Sequence, residues 1–81
     1  MDEITIRIDT IYVPARLRQP PDPKDVEALA ESIIEEGQRT AISVREDKNR
    51  YVLVSGRKRL EALKALGEET VRAVVVQAPK R

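Results

Sequence analysis

At 81 residues, with 41% hydrophobic and 36% charged side chains and a net charge of +1, the chain has the size of one globular domain with a small core. It contains no cysteine and no histidine, which excludes disulfides, thiolate metal sites, thiol catalysis and the commonest acid–base group. No apolar run approaches the roughly 18 residues needed to cross a bilayer, and the acidic start Met1-Asp2-Glu3 lacks the order of a signal peptide; a cytoplasmic setting with no membrane partner is expected.

Ile4, Ile6 and Ile8 alternate with Thr5, Arg7 and Asp9, a period of two that predicts a half-buried strand. Ile11 and Val13 extend the pattern until Pro14. A loop follows over residues 14–23, stiffened by Pro14, Pro20, Pro21 and Pro23 and carrying Arg16 and Arg18; each proline fixes its own φ and restricts the residue before it. The first helix begins at Asp22, an N-cap followed by Pro23 and an acidic first turn. Val26, Leu29, Ala30, Ile33 and Ile34 fall on one face, and Gly37 is placed to stop it as a left-handed cap.

Ala41 to Arg45 and Tyr51 to Val54 read as two strands. Asp47, Lys48 and Asn49 between them have turn chemistry, and a hairpin with a loop, rather than a tight two-residue turn, is expected. Ser55-Gly56 breaks the second strand. A second helix follows with Leu60, Leu63 and Leu66 on one face, and Gly67 ends it. The β-branched run Val71 to Val76 predicts a strand covered on both faces, and Gln77 to Arg81 a polar tail. The expected fold class is α+β, a single domain over residues 1–81 in the order β-α-β-β-α-β, with a small mixed sheet packed by two helices. The core must be built from Val, Ile, Leu and Ala, because the only aromatics are Tyr12 and Tyr51. Charges from Asp22 to Glu36 are mostly acidic and those from Arg57 to Lys64 mostly basic, which predicts one acidic and one basic face.

One placement runs against habit. A helix N-terminus carries a partial positive charge and free N–H groups, yet the second helix opens with Arg57, Lys58 and Arg59 directly after Gly56. Each like charge there costs about 0.3–1 kcal/mol at an exposed site. An anion would compensate, and a strand, a small-residue turn and a helix N-terminus together make a phosphate cradle. In this reading Gly56 allows close backbone approach, Ser55 caps the helix or donates to a phosphate oxygen, and Arg57 and Arg59 supply bidentate hydrogen bonds. The alternative is an ordinary basic surface in which Arg57 pairs with Glu61, four residues on. Arg16 and Arg18 are second candidates for contact with a ligand or with nucleic-acid phosphates, against surface arginines paired with acids of the first helix. Gln38, Arg39 and Thr40 follow the Gly37 cap and are candidates to line the same cleft. The acids Glu27, Glu31, Glu35 and Glu36 read as a solvated face.

The segments DVEALAESIIEEGQ (25–38), AISVRE, YVLVSGRKRLEALKALG and VRAVVV, with the opening IRIDTIYVPARLRQP, resemble the ParB/sulfiredoxin-like domain over nearly the whole chain. The most specific part is the strand–Gly-x-basic-Arg–helix stretch from Gly56 to Gly67. The resemblance implies a compact α+β fold whose turn holds nucleotide phosphates, with Gly56, Lys58 and Arg59 on the family's phosphate turn, Ser55 and Arg57 flanking it, and Gln38 and Thr40 near the nucleotide. It implies a nucleotide, CTP or ATP/ADP, with Mg²⁺ where the nucleotide brings it, and no transition metal. It also implies a DNA transaction such as partition, with DNA, a homodimer, or a larger protein carrying a DNA-binding domain as partners. A DNA-binding module or a ParB-like nuclease is the alternative function; any catalysis would be nucleoside triphosphatase or nuclease chemistry, and no catalytic residue is assigned. The chain departs from the pattern at Arg57, where ParB often has Glu. It also lacks the Cys and His of sulfiredoxin, which excludes that chemistry. Ala15 and Ser55 stand where the related free-serine kinases use an acidic loop residue and an Asp-Gly-His turn, and the later nucleotide motif and helix-turn-helix of ParB have no counterpart.

Overall fold

The computed structural model describes residues 3–76; the expected polar tail lies outside them. Five strands and two helices follow in the order β1 (Glu3–Arg7), β2 (Ile11–Tyr12), α1 (Pro23–Glu36), β3 (Ile42–Asp47), β4 (Arg50–Ser55), α2 (Arg57–Ala65) and β5 (Thr70–Val75). The strands form one mixed sheet ordered β1-β5-β3-β4-β2. The α+β class and the order of elements are as expected, with one strand added.

That strand comes from a corner. Ile8–Thr10 forms a 3-10 turn in which the Thr10 hydroxyl donates to the Arg7 carbonyl at 2.7 Å and the Arg7 guanidinium pairs with Asp9 at 2.8 Å. Short polar side chains closing on nearby backbone favour such turns over continued strand. Ile11 and Tyr12 therefore do not continue β1. They pair in parallel with Tyr51 and Val52 of β4, at the opposite edge of the sheet. Four residue steps from Arg7 to Ile11 span at most about 14 Å, whereas four strand spacings in a flat sheet would be about 19 Å. The sheet must therefore roll so that its two edges approach.

Register divides the rolled sheet into two faces. Ile42 lies beside Ala73, Val44 beside Val75 and Leu53, and Ile6 beside Val71. These residues share one face, and with Leu60 and Leu63 of α2 they form the core. Ile42, Val44, Leu53, Leu60 and Ala73 are at most 1% exposed. The core is aliphatic, as the composition required. The other face carries Arg45, Val52, Arg50 and Tyr12, and no helix covers it among the described residues. In β5, accordingly, Val71 and Ala73 are buried while Arg72 and Val74 are only half-buried. The β-branched run suggested cover on both faces, but the helices reach only one.

The β3–β4 hairpin closes with Asp47 paired to Arg50. This leaves the tight two-residue turn Lys48-Asn49, with Lys48 at φ +58°, in place of the expected longer loop. Helix α1 starts where the sequence placed it: the Asp22 side chain accepts from the Lys24 N–H at 2.9 Å, and the Gly37 N–H returns to the Ile33 carbonyl at 2.7 Å. Gly37 has positive φ (77°) but ψ of −179°, an extended exit rather than a left-handed cap. Helix α1 packs chiefly on α2 and reaches the core through Ile33, so its apolar stripe is incompletely covered. Ala30 is buried, but Ile34 is 69% exposed, outside the packed face expected for it.

Candidate basic turn at the start of the second helix

Strand β4 ends at Ser55, Gly56 turns the chain at φ 103°, ψ 25°, and α2 begins at Arg57. This left-handed conformation is open to glycine and costly for side chains with a Cβ. The glycine also serves packing, since the space a Cβ would take is occupied by Ile42. Ile42 starts β3, so this contact draws the segment containing Gln38 and Thr40 towards the turn. Ser55 remains a strand residue, paired with Ser43. Its hydroxyl makes no cap bond; Gly56 is the N-cap, which corrects the capping role expected of the serine.

The first bond of the helix runs from the Leu60 N–H to the Gly56 carbonyl at 2.9 Å. Among the described residues no acceptor reaches the N–H groups of Arg57, Lys58 or Arg59. The anion-seeking end of the helix is therefore open.

The three cations at this end differ in their surroundings. Arg57 is largely buried: its Nε donates to the Leu17 carbonyl at 2.9 Å and its guanidinium pairs with Glu61, which Lys64 also approaches at 3.5 Å. The pairing weighed as the alternative is thus present, and Arg57 ties the proline loop to α2. Lys58 reaches Asp25 of α1 at 3.5 Å with both side chains at least half exposed, a contact of little energy. Arg59 has its Nε sequestered from solvent without a hydrogen-bond partner. Arginine always carries its charge, and a buried donor left unmade costs about 1–3 kcal/mol.

The Asp25–Lys58 pair adds a detail to the expected charge layout. The acidic first turn of α1 and the basic first turn of α2 abut, so the two charged faces meet at this pair. Nothing in the spacing of two distant segments could have announced that contact.

The remaining candidates separate. Arg16 sits in the 3-10 turn Ala15–Leu17. The tether from Arg57 to Leu17 holds it beside the basic turn, where it is exposed. Arg18 points elsewhere: Nε donates to the Val13 carbonyl at 2.9 Å and an Nη to the Tyr12 hydroxyl at 2.7 Å. Gln38 has its amide fully engaged. Its Nε2 donates to the carbonyls of Thr40 and Arg72 at 3.0 Å each, and its Oε1 accepts from the Arg72 N–H at 2.9 Å. It satisfies β5 where β3 has not yet begun. Arg39 pairs with Glu36, and Thr40 is exposed. A cleft of about 630 Å³, lined by Pro20, Pro21, Val26, Glu61 and Ala65 among others, lies further along α2. Among the described residues no group of three or more acidic side chains is arranged to hold a metal.

The ParB N-terminal domain family profile matches residues 1–81. Among solved structures, sulfiredoxin from Arabidopsis thaliana superposes with a TM-score of 0.87 at 27% identity, covering 96% of this chain and 88% of that one. The C-terminally truncated chromosome-partitioning protein ParB from Caulobacter crescentus, complexed with CTP-gamma-S, superposes at 0.85 with 25% identity, covering 99% of this chain and 47% of that one. A free serine kinase in complex with AMP shares the fold at a TM-score of 0.77 and 22% identity, with 93% and 31% covered. The chain thus spans about half of that ParB and a third of the kinase. Comparison with curated protein sequences finds no match. With the profile matching from end to end and the fold superposing on a ParB and a sulfiredoxin, the chain belongs to the ParB N-terminal domain family.

Proposed function

We propose that the domain binds a nucleotide through its phosphates at the N-terminus of α2, as a ParB-type module serving DNA partition or maintenance. The observation that carries this reading is the Arg59 Nε, withdrawn from water with no acceptor in a turn whose backbone N–H groups are also open. A phosphate oxygen would accept from the open N–H groups, and from the Arg59 Nε once that side chain rotates out of its pocket. Lys58, held to Asp25 only weakly, swings to the ligand at little cost, and Arg16 closes from the proline loop. Arg57 supports the site by holding that loop. Ser55, Gly56 and Thr40 border the phosphates through backbone or hydroxyl groups, whereas Gln38 and Arg18 contribute by fixing the strands around them. Membership of the ParB family and the likeness to a ParB complexed with CTP-gamma-S favour CTP over ATP or ADP. The scattered placement of the acids argues against a nuclease, which needs carboxylates gathered on metal ions.

Isothermal titration with CTP, ATP and ADP, each with and without Mg²⁺, tests the reading. Binding is expected for the wild type and is expected to be lost in Arg59→Ala. No heat with any nucleotide, or equal affinity in the variant, would remove it.

A further inference from the structure

The helix-free face of the sheet holds a second basic site, separate from the turn. Register sets Arg45, Val52 and Tyr12 side by side across β3, β4 and β2, and Asp47 beside Arg50. Strand alternation puts Arg50 on the same face as Val52. Val52 is only 2% exposed although it lies outside the aliphatic core, so the side chains flanking it must lie over it. The Arg50 guanidinium sits 4.0 Å from the centroid of the Tyr12 ring, and that of Arg18 sits at 5.1 Å. Tyr12 is nevertheless 37% exposed.

Charge is uneven over this face. At the β1 end Arg7 is matched by Asp9 and Arg72 by Glu3. At the β2 end, among the described residues, Arg50 pairs with Asp47 at 3.3 Å while Arg18 and Arg45 pair with no carboxylate. An exposed ring flanked by guanidinium planes offers stacking surfaces, and the arginines offer bidentate donors to phosphate. Guanidinium and aromatic faces on an open sheet accept unpaired bases, whereas the stacked bases of a duplex present only their edges.

We propose that this face, centred on Tyr12 with Arg18, Arg45 and Arg50, binds single-stranded nucleic acid. A base stacks on Tyr12 or on the guanidinium covering it, and the neighbouring phosphates are taken by Arg45 and Arg50.

Fluorescence anisotropy with a labelled oligothymidylate at a series of salt concentrations tests this in the intact chain. Binding is expected at low salt and should weaken as salt rises. Tyr12→Ala should weaken it about tenfold, and Tyr12→Phe should keep most of it. Arg50→Ala should weaken binding and reduce the salt slope by about 0.7. Arg59→Ala should leave it unchanged, which separates this surface from the nucleotide site whatever becomes of that site. Circular dichroism melts of each variant exclude unfolding as the cause. The inference is overturned by absence of binding at low salt, by equal affinity for duplex of matching sequence, by equal competition from polyglutamate, or by loss of binding in Arg59→Ala alone.

Discussion

A methyl group on Gly56 would lie 2.6 Å from Cγ2 and 2.8 Å from Cβ of Ile42, so the turn that opens α2 is fixed by the first residue of β3. Gly56→Ala meets two penalties. The left-handed backbone costs about 1–2 kcal/mol for a residue with a Cβ, and overpacking adds about 1–3 kcal/mol. For a domain of this length, total stability is on the order of 4–12 kcal/mol. Urea melts of Gly56→Ala are expected to show a loss of about 2–5 kcal/mol. Loss of ligand binding in that variant would therefore report on folding; wild-type stability in Gly56→Ala would contradict the packing.

Arg57 predicts a different phenotype. Its bonds to the Leu17 carbonyl and Glu61 hold a loop that contains two trypsin sites, Arg16 and Arg18. Replacing it with alanine leaves the Leu17 carbonyl and the Glu61 carboxylate without their main partner, at a cost of about 1–3 kcal/mol. Arg57→Ala is expected to be cut by trypsin after Arg16 and Arg18 several-fold faster than wild type, with the sheet still folded by circular dichroism. Unchanged cleavage would mean that the prolines alone hold the loop.

The Arg7–Asp9 pair sets an acid-sensitive contribution at the corner that leads to β2. The guanidinium hydrogen bonds of Arg7 hold the Asp9 carboxyl below the ordinary carboxylate range. A depressed folded pKa means that the stabilisation is complete above the unfolded value, about 3.9, and is lost as pH falls through the lower folded value. Both groups are well exposed, so the effect is small and screened by salt. Asp9→Asn should melt slightly below wild type at pH 7 in low salt, and the gap should close at acidic pH and in high salt. A gap that persists below the folded pKa would assign the effect to backbone geometry instead.

What could be read beforehand follows the range of the interaction. The Asp22 cap, the apolar stripe of α1 and the basic first turn of α2 depend on residues within one or two turns, and the linear pattern specifies them. The Lys48-Asn49 turn escaped because tight hairpins usually declare themselves with glycine, and here a lysine takes the positive φ. Ile34 belongs to the apolar stripe of α1 yet stays exposed, because periodicity identifies a stripe without telling how wide its partner is. Gln38 was placed near the nucleotide, while its amide serves Arg72, 34 residues away. The Gly56–Ile42, Arg57–Leu17 and Lys58–Asp25 contacts likewise join distant segments. They determine which basic residues are engaged by the protein and which stay available, and only the folded topology contains that information.

Arg59 separates a structural role from a binding one most sharply. A side chain selected for stability should destabilise the free protein when it is replaced, whereas one waiting for an anion should not. Arg59→Met retains a long aliphatic stem and removes the Nε that has no acceptor. The free variant is therefore expected to equal wild type in stability or exceed it by about 1 kcal/mol. With CTP at one hundred times its dissociation constant, wild type should gain about 2.7 kcal/mol, and Arg59→Met should gain almost none. Thermal melts with and without nucleotide measure both quantities in one experiment. A variant that is unstable without ligand but still stabilised by it would make Arg59 a packing residue and leave the open N–H groups of α2 as the whole of the phosphate site.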